Sequence, residues 1–281
     1  MNFYELSIIL RYLAVALAVF VLSYLLLFKE RKTALVFFGL FMVSYVSPNI
    51  SYILNNLGLR EHFPNLKFIP VGFYYFCMPL FYLYTKSLLE QVKKKEIIIC
   101  LIPGVLEFLF MLTLFVMPYE TSSAFHKSHY WLFFIIHGVL LNVFSLFFVF
   151  LTLKRIYNYH EKFLNFFSNT QKVNLHWIRI VAYLLLFVYL FQLSTLFFDI
   201  KDAANMVYFI DSLVSLLFVY WISIFGIKQS HVHAEFEVFD TSKVIVDSKQ
   251  KDFDKIINIL TETGSYKNPN FTVIDLAELV Q

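Results

Sequence analysis

Up to Ile227 the chain alternates long apolar blocks with short polar breaks. The blocks are about 20 residues long, which is what a helix rising 1.5 Å per residue needs to cross a hydrocarbon layer of about 30 Å. Seven blocks have this length: Leu6 to Phe28, Ala34 to Leu54, Phe68 to Leu89, Ile97 to Met117, Tyr130 to Leu153, Trp177 to Phe198 and Met206 to Ile227. A transmembrane β-barrel would instead show short segments of strict alternation, so the blocks predict helical spans. Ala14, Ala16 and Ala18 give the first block small residues of the kind found at a cleavage site. Its apolar run nevertheless continues to Phe28 and stops at Lys29, Arg31 and Lys32, which predicts a retained span rather than a signal peptide.

Composition agrees with that pattern. Of 281 residues 59% are hydrophobic and 20% aromatic, while 15% are charged, which excludes an ordinary soluble domain, a disordered chain and a highly charged nucleic-acid coat. Cys77 and Cys100 both fall in or beside apolar blocks without a CxxC or Cys/His cluster, so they read as buried thiols rather than a disulfide or zinc framework. Basic residues are distributed unevenly between alternate breaks. Lys29, Arg31, Lys32, Lys86, Lys93, Lys94, Lys95, Lys154, Arg155, Lys162, Lys172 and Arg179 fall on one side, against Arg11, Arg60, Lys67, Lys127 and Lys201 on the other. Because basic loops are retained in the cytoplasm, the N-terminus is expected outside and the C-terminus inside.

The pattern changes after Ile227. Residues 228–281 carry six lysines and nine acidic residues, a density well above that of the preceding 227 positions, and read as a soluble tail. The organisation expected is a transmembrane domain at 1–227, a linker at 228–250 and an output fragment at 251–281. Phe253, Ile256, Ile257 and Leu260 recur at i, i+3, i+4 and i+7, one apolar helix face, and Gly264 is placed to end that helix. After the turn Tyr266-Lys267-Asn268-Pro269-Asn270 a second helix start is marked by Thr272 as N-cap, Asp275 three residues on, and Phe271 positioned to staple onto Leu276. Only about two turns follow before Gln281, too short for a stable isolated helix, so the output domain is expected to be incomplete.

These residues carry a family resemblance. The segment 252–281, with its Tyr-x-Asn-Pro-Asn-Phe-Thr turn and Leu276-Ala277-Glu278, resembles the beginning of the DNA-binding domain of AraC/XylS-type transcription regulators. The segment from Phe167 to Arg179, before the sixth block, is similar to the juxtamembrane stretch of the seven-helix AraC-type membrane regulators of Bacteroidetes. The resemblance implies that Phe271, Thr272, Asp275, Leu276 and Ala277 open a helix-turn-helix. The recognition helices that reach base edges in that family have no counterpart here, and the tail is net negative, unsuited to a polyanion. DNA is therefore expected as a partner of the full-length parent only.

Ionisable and amide residues inside spans are costly and mark candidate sites. Glu107, His137, Asn142, Gln192 and Asp211 form that set: either a polar pocket open to the outside for a small polar ligand, or interhelical hydrogen bonds that hold the bundle. Asp199 and Asp202 read as solvated rim residues, and the pairs His126/His129 and His231/His233 as ordinary surface histidines without a full metal set. Pro48, Pro70, Pro79 and Pro103 lie in or near spans and permit kinks. The last span holds no lysine for a retinal Schiff base, and HExxH, GxSxG and GxxxxGK[ST] are missing from the sequence, so no enzyme and no cofactor is expected.

The fold expected is all-α, a polytopic seven-helix membrane bundle with a short cytoplasmic helical tail, in a bacterial inner membrane. Its expected function is the sensor portion of an AraC-type regulator. Its expected partners are the lipid bilayer, an unidentified small-molecule or membrane signal, and a second copy of the chain in a homodimer. The alternatives are the membrane part of a histidine-kinase-like protein, or a small-molecule transporter.

Overall fold

Each apolar block becomes a helix, and the breaks set where the helices begin and end. The computed structural model describes residues 3–28, 33–166, 176–196 and 204–229, together with Ile257. Helix α1 covers Phe3–Phe28. Pro48 divides the second block into α2, Thr33–Val46, and α3, Pro48–Asn56. A short helix α4, Leu59–His62, and a 3-10 turn, Pro64–Phe68, lead to α5, Tyr74–Leu89. Next come α6, Lys94–Val116, and a short helix α7, Tyr119–Ser128. The fifth block is α8, Tyr130–Phe133, a π-helical segment, Phe134–Leu140, and α9, Leu141–Phe166. Helices α10, His176–Thr195, and α11, Ala204–Gln229, complete the described bundle.

Among the described residues six helical stretches are long and apolar enough to cross a membrane: Phe3–Leu25, Thr33–Asn56, Lys94–Val116, Tyr130–Tyr159, His176–Ser194 and Tyr208–Gly226. The third block departs from the expected boundaries. Phe68 ends the 3-10 turn, and α5 starts only at Tyr74, leaving 16 residues, or about 24 Å of helix. Pro70 disfavours helix at Ile69, and Phe73 takes a left-handed backbone, φ 43°, a costly conformation for an aromatic residue that marks the turn into α5.

The short helix is nevertheless the centre of the fold. Twelve of its residues are buried, and it packs against α2, α6 and α9. Side-chain pairs show the relative direction of several helices. Phe38 meets Tyr84 at 5.2 Å and Phe41 meets Phe81 at 5.1 Å between ring centroids, so α2 and α5 are antiparallel. Lys86 reaches Glu96 while Phe73 stacks on Phe108, so α5 and α6 are antiparallel too. Tyr157 pairs with Tyr183, and Trp177 stacks on Phe225 at 5.8 Å. Arg11 meets Asp211, whereas Leu22 and Gly226 both approach the Phe38–Gly39 level, so α1 and α11 run parallel. First and last helices can be parallel in an up-and-down chain only when the number of rods is odd. The short α5 therefore counts as a rod of its own, which makes seven rods among the described residues.

A hydrocarbon solvent explains the outward faces. Ile98, Ile102, Leu106 and Leu109 form one exposed stripe on α6, and Phe187, Leu190 and Phe191 another on α10. Apolar surface of this extent is untenable on a soluble monomer. Between helices, where lipid competes equally for apolar contact, close approach depends on small residues. Gly226 is one: a Cβ there would lie 2.2 Å from the Phe38 ring.

A second, small core closes one end of the bundle. Phe68, Leu114 and Phe133 are buried together, with Phe110, Tyr119 and Phe125 packed on them. Asn65 Nδ2 donates to the carbonyls of Phe115 and Met117, both at 3.1 Å, and Ser122 Oγ donates to Leu114 O at 2.7 Å. The 3-10 turn and α7 together thereby cap the C-terminal carbonyls of α6. His126 lies 4.5 Å from the Phe133 ring, and its burial, together with the charge of Lys67, holds its imidazole below the usual histidine range.

The chain divides into two units, Met1–Gln229 and Ser230–Gln281. In the second, Ile257 is helical and exposed. The helix expected around it and the helix-turn-helix start at Phe271, Thr272, Asp275, Leu276 and Ala277 lie outside the described residues.

Candidate functional site

Two polar clusters lie toward the end of the bundle where α1 and α11 begin. The first is built on the π-helical segment. Its wide turn sends the Leu141 N–H to Ile136 O, five residues back, and the same carbonyl accepts a hydrogen bond from Tyr75 Oη at 2.6 Å. Such segments insert one residue into a helix and recur at functional positions. His137 stands at the middle of this one. Its Nδ1 is 3.9 Å from Glu107 Oε1, longer than a hydrogen bond, and its Nε2 is buried without a partner. Tyr74 and Phe133 contact the imidazole at 6.3 and 6.2 Å between centroids. Asn142 does not reach this pair in hydrogen bonding. Its Nδ2 donates one turn back to Gly138 O at 2.6 Å, which uses the amide to secure the wide turn and leaves Oδ1 buried without a partner.

The second cluster is an ion pair between the first and last helices. Arg11 lies about two turns inside α1, and it is only 3% exposed. Its Nη2 donates to Asp211 Oδ2 at 2.8 Å and its Nη1 to Asn49 Oδ1 at 2.6 Å. The guanidinium plane lies 4.0 Å over the Tyr52 ring, a cation–π contact that is stronger out of water. The Arg11 Nε is buried without a partner. Asp211 is different: 56% of its side chain is exposed. The pair thus joins a sequestered cation to a carboxylate at the bundle surface.

Pro48 and Ser47 position Asn49. The Ser47 hydroxyl contacts Ser44 O at 2.9 Å and Gly72 O at 2.7 Å. It thereby ties the α2–α3 break to the segment leading into α5, and Asn49 follows two residues on.

Of the five residues singled out from the sequence, Glu107 and His137 face each other, and Asn142 lies on the same helix as His137, engaged with its own backbone. Asp211 belongs to the other cluster, and Gln192 occupies an exposed position on α10. The sequence reading missed Arg11 as a site residue by counting it among the outer-loop cations. The signal was available, since a lone arginine inside an apolar block is the most expensive residue of that block. Asn49 and Tyr52 carried no comparable signal.

The opposite end of the bundle holds a different network. Lys86 Nζ lies 2.7 Å from Glu96 and 3.4 Å from Glu90, Arg155 Nη1 also contacts Glu90, and Arg155 Nη2 donates to Tyr82 Oη at 3.2 Å. It ties α5, α6 and α9 together. No group of three or more metal-ligating side chains occurs among the described residues.

Fold and clusters define a polytopic, all-α membrane protein whose first and last described spans are joined by an ion pair with a buried cation. No protein family, curated protein or solved structure matches the chain.

Proposed function

We propose that this chain is the membrane sensor of a bacterial AraC-type transcription regulator. A signal arriving at the outer half of the bundle changes the position of α11, and the change passes through the linker at 228–250 to the cytoplasmic output. The carrying observation is the Arg11–Asp211 pair. It links α1 and α3 to α11, the helix directly continuous with the tail, so a ligand that breaks or strengthens this contact biases α11. A ligand shifts such an equilibrium only by its differential affinity for the two arrangements, and a contact formed in one arrangement alone supplies that difference. The resemblance of 252–281 to the start of an AraC-type domain supports the choice of output.

The test is transcription in the native host. Chromosomal Arg11→Gln and Asp211→Asn variants break the same contact from opposite sides, and each is expected to shift the same set of transcripts at least several-fold. An unchanged profile, together with solute uptake by the reconstituted wild-type protein, would overturn the reading in favour of transport.

The same proposal places α7 outside and the Lys93 break in the cytoplasm of a cell with this protein in its inner membrane. Moving Arg11 from loop to span leaves the basic-residue asymmetry intact, which supports that orientation. In a background with Cys77 and Cys100 replaced by alanine, Ser128→Cys is expected to react with an impermeant maleimide on intact spheroplasts. Lys93→Cys is expected to react only after permeabilisation. The reverse pattern would invert the topology and remove the cytoplasmic output.

A further inference from the structure

We infer that the Arg11 site binds an amphipathic carboxylate, a single acidic head on a hydrocarbon tail, which replaces Asp211 on the guanidinium. This deepens the sensor reading and rests on it for its consequence, though not for its chemistry. Two features of the site point to such a ligand. The guanidinium is buried and fully committed to holding a negative charge, yet its Nε has no partner. A planar carboxylate is the anion that matches the fork of N–H donors on arginine. The acid that now fills this role is the more exposed member of the pair, and it can withdraw without carrying the cation with it.

The tail follows from what surrounds Asp211. On α11 the residues Ile210, Val214 and Leu217 are all exposed, spaced at i, i+4 and i+7, and Asp211 stands beside this stripe. Ile9 and Leu13 are similarly exposed on either side of Arg11 in α1. These positions contact lipid in a membrane-spanning bundle, so a ligand approaches the ion pair along an apolar surface. A fully hydrated small acid gains nothing from that route, whereas an acyl chain lies along it and delivers its head group to Arg11. Exchange of one carboxylate for another leaves the number of charges at the guanidinium unchanged. It frees α11 from α1 and α3 without exposing an unpaired buried cation, which would otherwise oppose the movement.

The experiment uses the whole chain in phosphatidylcholine nanodiscs with decanoate as probe, and reads binding of labelled decanoate above that of empty nanodiscs. Wild-type protein is expected to bind one decanoate saturably. Asp211→Asn removes the internal competitor, so its affinity is expected to rise at least tenfold and decanoate is expected to raise its thermal stability more than that of wild type. The double variant Arg11→Gln/Asp211→Asn, which buries no charge at the site, is expected to lose saturable binding. Decanol and decyltrimethylammonium should neither compete nor stabilise.

Equal affinity in wild type and Asp211→Asn, or equal protection by decanol, would overturn the inference. Retained binding in the double variant would do so as well. Displacement of decanoate by phosphatidylglycerol in mixed nanodiscs, with no gain of decanoate affinity in Asp211→Asn, would assign the guanidinium to bulk anionic lipid and likewise overturn it. These measurements involve no DNA. If decanoate binds as expected while the transcript profile is insensitive to Arg11 and Asp211, the site stands and the regulator reading falls.

Discussion

Replacement of Asp211 by alanine is expected to lower the stability of the bundle by about 3–5 kcal/mol, the usual cost of leaving a buried charge without its partner. The size of the effect comes from the partner left behind. Arg11 is 3% exposed, and its remaining partners among the described residues are Asn49 Oδ1 and the Tyr52 ring, neither of which carries a charge. The reciprocal change, Arg11→Met, is expected to cost less. Methionine approximately fills the space of the arginine stem, and the stranded Asp211 is already more than half exposed near the rim. The double variant Arg11→Met/Asp211→Ala is expected to be more stable than Asp211→Ala alone, because no buried charge remains. Reversible unfolding in a mild detergent with increasing denaturant measures all three. Equal losses in the two single variants would show that Arg11 is hydrated despite its burial, and would remove the asymmetry on which the carboxylate exchange depends.

Gly226→Val is expected to destabilise the bundle by about 3 kcal/mol, toward the upper end of overpacking costs. The new Cβ would meet three atoms of the Phe38 ring within 2.7 Å. Phe38 cannot easily retreat, since it is 1% exposed and packed against Tyr84 at 5.2 Å. Phe38→Ala alone creates a cavity and is itself costly, by about 3–5 kcal/mol. Combined with Gly226→Val, however, the two losses are expected to sum to less than their separate values, because the valine enters space the ring has vacated. Simple addition in a double-mutant cycle would mean that α11 moves away bodily instead of meeting Phe38. Under the proposed sensor role the position gains a second interest, because Gly226 sets how closely α11 rests on α2.

The helical class and the seven rods were legible from one property, the length of apolar blocks, because a hydrocarbon solvent forces every backbone polar group to be satisfied within its own helix. Such a rule acts on each segment separately and needs no knowledge of its neighbours. The breaks at Pro48 and the late start of α5 were only partly legible. Proline positions indicate where a helix is weakened, but whether Pro79 and Pro103 interrupt α5 and α6 depends on packing, and both remain inside continuous helices. The π-helical segment around His137 had no signature in the apolar pattern, since one inserted residue does not change which residues are greasy.

Function-related chemistry was legible as a list of expensive residues and illegible as a set of pairs. Glu107, His137 and Asp211 stand out because ionisable groups are rare within spans, and Arg11 should have stood out by the same rule. Which of them meet is a matter of helix order and rotation. Arg11 and Asp211 are 200 positions apart in sequence, and they come together only because an odd number of rods brings the first and last helices side by side in parallel. The sequence alone thus determined what must lie in lipid and which residues would be costly there, through a solvent effect that operates locally. The tertiary structure decided which of those costs cancel, because charge pairing depends on distances that no single helix controls.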